Sequence, residues 1–199
     1  MPILLPLAAH RYSPAETWAA VAGPGCTVTA VLDLPPAETD AAVAVLTRAG
    51  VRMFGRVDLE HGERPVTALL DDLAGWVRHP VAGLLLDRCP ADADELGAVA
   101  LAVRHARRLG IAEVLLNVGA DPHPRYRCLG VGVIGFAGSW LDYQRAETRP
   151  GDAHLVFDVP AALLPLARRL ITLRGAGWAL ATPVAAPAHG THAGEHPRQ

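Results

Sequence analysis

Eight short apolar runs recur along this chain at intervals of about 20 to 30 residues, and most are separated by segments with the period of an amphipathic helix. The runs are residues 3–9, 27–34, 52–59, 83–87, 113–118, 131–137, 154–159 and 177–182. A strand that reads as a nearly continuous apolar run is buried on both faces, and parallel strands reach that state when crossover helices cover them. The expected fold is therefore α/β: a small (β/α)8 TIM-type barrel over residues 1–183, with residues 184–199 as a flexible tail. An open doubly wound sheet is the rival, because about 25 residues per strand–helix unit is lean for a barrel.

The helical segments carry their own punctuation. Pro65 opens one in which Leu69, Leu70, Leu73, Trp76 and Val77 share a face. Another begins near Asp92 or Asp94, carries Leu96, Val99 and Val103, and stops at Gly110, a residue able to adopt a left-handed backbone. A third runs from about Ala37 to Gly50. The stretch after the sixth strand, residues 139–152, has weak helical periodicity, so the helical layer is expected to thin there.

Composition limits the partners. Eighteen basic residues stand against twenty acidic ones, so no overall positive field favours nucleic acid. No run approaches the roughly 18 apolar residues of a membrane-spanning helix. The opening residues lack a basic region before the apolar stretch, which argues against a signal peptide and for a cytoplasmic protein. Cys26, Cys89 and Cys128 are widely spaced and form no CxxC pair, as expected of reduced thiols. His189, His192 and His196 lie in the tail without a frame to hold a metal, and neither a metal nor any other cofactor is expected. Gly-rich phosphate loops, HExxH and GxSxG are absent.

Chemistry is expected where the strands end. His10 follows the first strand, and Asp33, Asp58, Asp87, Asn117 and Asp158 close the second, third, fourth, fifth and seventh. In a parallel barrel these ends share one face, where loops converge on a ligand. Asp87 is the sharpest candidate, because its strand GLLLD is apolar on both faces and the desolvated carboxylate needs a partner or a ligand. Arg88 beside it favours the ionised form, which suits a nucleophile, a base or a plain ion pair better than a general acid. Glu60, His61 and Arg64 sit around Gly62 in the loop after the third strand, as ligand contacts or as a solvated loop. Trp140 and Tyr143 follow the sixth strand, where their rings could stack on a sugar or pack over the barrel mouth. Asp158 could equally cap the segment after Pro160.

In the pieces LPLAAHRYSP, VLDLPP, GRVDLEHGERP, GLLLDR, LLNVGADPHPRY, GFAGSW and HLVFDVP, taken in order, the chain resembles the spherulin-4 family of glycoside-hydrolase-like barrels. That resemblance implies an amino-sugar polysaccharide of the galactosamine type as ligand, and it adds Tyr12 to the ligand contacts. It also implies an Asp-Glu pair where this chain has Asp87 and Arg88, and a further Glu where it has Ala137. Glycoside hydrolysis uses two carboxyl groups, spaced about 5–5.5 Å for retention and about 6.5–9.5 Å for inversion. Two readings follow: a carbohydrate-binding barrel that has lost catalysis, or a glycosidase in which Asp58 or Asp33 partners Asp87.

Overall fold

The computed structural model describes residues 28–119 and 122–185, together with the backbone of residues 3–8. His10, Tyr12, Cys26 and the tail histidines lie outside the described residues. Eight parallel strands follow one another in sequence order: β1 (Ile3–Ala8), β2 (Val28–Asp33), β3 (Arg52–Asp58), β4 (Gly83–Asp87), β5 (Glu113–Leu116), β6 (Gly132–Ser139), β7 (Ala153–Phe157) and β8 (Trp178–Ala181). All eight apolar runs are strands, displaced by at most two residues at an end. The described helices are α1 (Asp40–Arg48), α2 (Val66–Trp76), α3 (Leu96–Arg108), α4 (Trp140–Arg145) and α5 (Leu164–Leu173).

The sheet is a curled, TIM-like α/β sheet rather than the regular (β/α)8 barrel expected. β8 returns to β1 through a single register pair, Ile3 with Ala179, whereas β1 and β2 pair over six positions. The helical layer is also uneven. Among the described residues, only a 3-10 helix, Pro124–Leu129, follows β5, and α4 is six residues long. Two features account for this: β5 and β8 have four residues each, too short for a long seam, and the β6–β7 register shifts between Ile134 and Phe136.

Strand alternation sets two faces. Val31, Phe54, Leu85, Leu115, Ile134, Leu155 and Leu180 pack together inside the curl. Outside, Ala30, Leu32, Met53, Leu84 and Leu86 pack against α1, α2 and α3 through Leu46, Leu73, Trp76 and Val103. A third cluster joins β6, β7 and β8 to α4 and α5 around Tyr143, Val156 and Ile171. Trp76 lies directly over Gly55, where an added Cβ would sit 2.3 Å from its ring, and its indole N–H donates to the Arg56 carbonyl at 3.2 Å. Gly110 ends α3 with φ of +88°, as its position predicts. Among the described residues, no helix is long and apolar enough to cross a membrane.

Candidate functional site

Because Val31, Phe54, Leu85 and Leu115 face inward, the residues two and four further along their strands face inward as well. That places Asp33, Arg56, Asp58, Asp87 and Asn117 together at the C-terminal end of the sheet. Asp58 and Asp87 stand in register on β3 and β4. The expected convergence of Asp58, Asp87 and Asn117 is therefore present, and Asp33 joins it.

Arg56 organises the cluster. Its Nε donates to Asp87 Oδ2 at 2.6 Å, one terminal nitrogen donates to Asp33 Oδ1, and the other donates to Asp58 Oδ2 at 3.1 Å. Three strands thus contribute a carboxylate to one guanidinium. The group is half-buried, and although burial opposes its charge, Asp87 and Asp33 outweigh that and keep its affinity for the proton above the ordinary arginine value. Asn117 Nδ2 donates to the other Asp87 oxygen at 2.6 Å, so both oxygens of Asp87 are engaged.

Arg56 is not among the residues expected at the site from the sequence. The signal was available: RMFGRVD puts an arginine inside an apolar strand, two residues before Asp58 and so on its face. A cation there, desolvated on a buried sheet, calls for carboxylates around it.

Arg88 does not pair with Asp87, contrary to the simple expectation for neighbours in sequence. Its backbone turns into the left-handed region with φ of +48°, and its carbonyl accepts the His61 N–H at 2.8 Å. The side chain is thereby directed to Asp58, with Nε 2.8 Å from Oδ1 and 2.9 Å from Oδ2, and the terminal NH2 also donates to Oδ2. Asp58 accepts the Glu60 N–H as well, at 2.9 Å. Burial alone would raise the Asp58 carboxyl, but the bonds from Arg88 and Glu60 and the charges of Arg56 and Arg88 hold it below the usual carboxylate range.

The polar residues of the loop after β3, read as ligand contacts or as a solvated loop, divide between bracing and exposure. Arg64 donates to Asp72 on α2 and, at 2.8 Å, to the Asp58 carbonyl, so it braces the strand end. His61 and Glu60 are exposed and adopt left-handed backbones, with φ of 56° and 49°. With Arg88 and Asp158 (φ of 53°), they are the positive-φ non-glycine residues among those described, and all four follow strand C-terminal ends. Such strained positions gather where a site constrains the chain. Asp158 is exposed after β7 and does not cap the following 3-10 helix, whose start has no side-chain cap.

Trp140 and Tyr143 neither stack at the mouth nor pack over it. Both are buried in the cluster outside the sheet, so neither offers a free ring at the mouth. The β6 register shift explains this, because after it Ala137 and Ser139 share a face with the inward Leu155 and Phe157, while the start of α4 turns outward. Ala137 is exposed on that inward face.

A cleft of about 320 Å3 opens over the ends of β2 and β3, lined by Asp33, Arg56, Asp58, Glu60, Arg64, Asp72 and the Leu34–Pro36 turn. A smaller cavity of about 190 Å3 lies at the opposite end of the sheet, against Phe54, Glu113 and Trp178. There Arg52 pairs with Glu113 and stands 5.5 Å from both aromatic rings, which makes a floor rather than a second converging polar site. No group of side chains suited to a metal ion occurs among the described residues.

No family model matches this chain, and no curated protein matches it. Among solved structures, the chain is similar to the crystal structure of Aspergillus clavatus Sph3 in complex with GalNAc, at 18% identity and a TM-score of 0.74 over 95% of this chain and 91% of that one. The likeness runs along nearly the whole of both chains and shows a shared fold.

Proposed function

We propose that this chain is a spherulin-4-like, saccharide-binding barrel that does not cleave glycosidic bonds. The carrying observation is the asymmetry of the mouth. The carboxylates of Asp33, Asp58 and Asp87 lie on the adjacent strands β2, β3 and β4 and share Arg56, while the inward face of β6 presents Ala137. Glycoside hydrolysis needs two carboxyl groups flanking the bond, one of them able to deliver a proton. Asp58, held below the usual carboxylate range by Arg88 and Arg56, is a poor proton donor at neutral pH.

The same groups suit binding. Carboxylates and guanidinium groups around an open cleft accept from and donate to the hydroxyls of a sugar. The shared fold with a GalNAc complex supports an amino-sugar ligand. The hydrolytic alternative, Asp87 acting with Asp58 or Asp33, requires two groups tied to one guanidinium to work from opposite sides of a bond. Titration with GalNAc and with galactosamine-containing oligosaccharides, followed by mass analysis of the mixtures, tests the proposal. Binding without new products is expected; steady release of shorter sugars would overturn it.

A further inference from the structure

We propose that Arg56 is a positioning residue that directs ligand recognition to Asp33, leaving Asp87 and Asp58 as internal partners. This rests on the saccharide-binding reading and assigns the contact within it.

Hydrogen-bond capacity separates the three carboxylates. Asp58 receives Arg88 on both oxygens, Arg56 on Oδ2 and the Glu60 N–H on Oδ1. Asp87 receives Arg56 on one oxygen and Asn117 on the other. Among the described residues Asp33 is engaged through Oδ1 alone, which leaves its Oδ2 without a partner there. Its side chain is also the most exposed of the three, at 36% against 19% for Asp58 and 14% for Asp87. The cleft agrees: its lining includes Asp33, Arg56 and Asp58 but neither Asp87 nor Asn117. A ligand donor, hydroxyl or ammonium, therefore meets Asp33 first.

Arg56 sets this arrangement, because one planar fork spends its donors on three fixed directions and so decides which oxygen remains free. Among the described residues, the charged groups around it are Asp33 from β2, Asp58 from β3, Asp87 from β4, Arg88 after β4, and Glu60, Arg64 and Asp72 along the cleft. Asn117 is neutral, the inward residues of β6 and β7 are apolar or hydroxylic, and the buried Cys89 thiol is pushed toward its protonated form by burial and by Asp87. Without Arg56, three carboxylates would face one another, with Arg88 the one described cation bonded to any of their oxygens.

Two measurements test the proposal. In calorimetric titration with GalNAc, Asp33→Asn is expected to weaken binding about ten-fold, and by more than Asp87→Asn does, because it removes the free charged acceptor. A larger loss from Asp87→Asn would overturn the assignment. The second measurement needs no ligand: thermal unfolding of wild type, Arg56→Met and Arg56→Lys between about pH 7 and about pH 4, where carboxylates begin to take protons. Arg56→Met is expected to show a deficit that shrinks toward the acid end, with Arg56→Lys between it and wild type. A deficit independent of pH, or none, would overturn the positioning role. Should Arg56→Met not fold near pH 7, recovery of native circular dichroism near pH 4 supports the proposal and its absence overturns it. Wild type that ignores GalNAc and its oligosaccharides defeats the saccharide reading, while the unfolding series still decides the role of Arg56.

Discussion

Arg56 Nε and Asp87 Oδ2 lie 2.6 Å apart across β3 and β4, joining two inward-facing residues at the end of an apolar interior. The pair means that the strand-end carboxylate most conspicuous in the sequence is part of the scaffold of the mouth. Its environment supplies a cation on one oxygen and an amide on the other, so its desolvation is compensated within the protein.

Asp87→Asn should therefore lower stability. The amide keeps the shape but removes the charge opposite Arg56, which retains Asp33 and Asp58, so the expected loss is about 1–3 kcal/mol rather than that of a fully stranded cation. Chemical denaturation of both proteins at neutral pH checks it, and an unchanged midpoint would speak against the pairing.

Catalysis is expected to need two acids at once. Arg88→Glu removes the cation clamping Asp58, and Ala137→Glu puts a carboxyl on the bare inward face of β6; neither alone completes a flanking pair. Wild type and both single variants should release no product from galactosamine-containing oligosaccharides, while the double variant is the form in which slow cleavage should emerge. Product mass, with circular dichroism to verify folding, reads the result; robust cleavage by wild type would show the native carboxylates to be sufficient.

His154 predicts a second pH response, separate from the mouth. It is fully buried on β7, its Nδ1 is 2.8 Å from the Tyr143 hydroxyl, and burial holds its affinity for a proton below that of an ordinary histidine. In the unfolded chain the ring takes a proton below about pH 6.5, and in the folded protein only at lower pH. The unfolded state then binds more protons in that window, so stability should fall as pH drops below about 6.5 and level off above it. His154→Leu should flatten this part of the melting-temperature profile while lowering its plateau, since the Tyr143 hydroxyl loses its partner. A profile of unchanged shape would rule the group out.

Gly55→Ala should cost about 1–3 kcal/mol, because the new methyl enters the ring of a buried Trp76 that cannot move without opening the β3–α2 contact. Since Trp76 also holds the Arg56 carbonyl, the variant should shift tryptophan emission together with stability. Wild-type denaturation behaviour would show that the contact relaxes at little cost.

The sequence by itself determined the strands, because eight apolar runs bounded by turn residues are a local signal that neighbouring chain does not override. It also determined which polar residues share an end of the sheet, since position along a parallel strand is enough to place Asp33, Asp58, Asp87 and Asn117 on one rim. Only the tertiary structure decided who pairs with whom. Arg56 reaches carboxylates 23 and 31 residues away, and Arg88 leaves its neighbour Asp87 for Asp58 because its backbone takes a left-handed turn held by His61. Nor could periodicity show that a register shift in β6 would turn Ala137 inward and leave Trp140 and Tyr143 buried outside. Local pattern reports the face a side chain occupies; the direction of a guanidinium fork depends on several strands brought together at once.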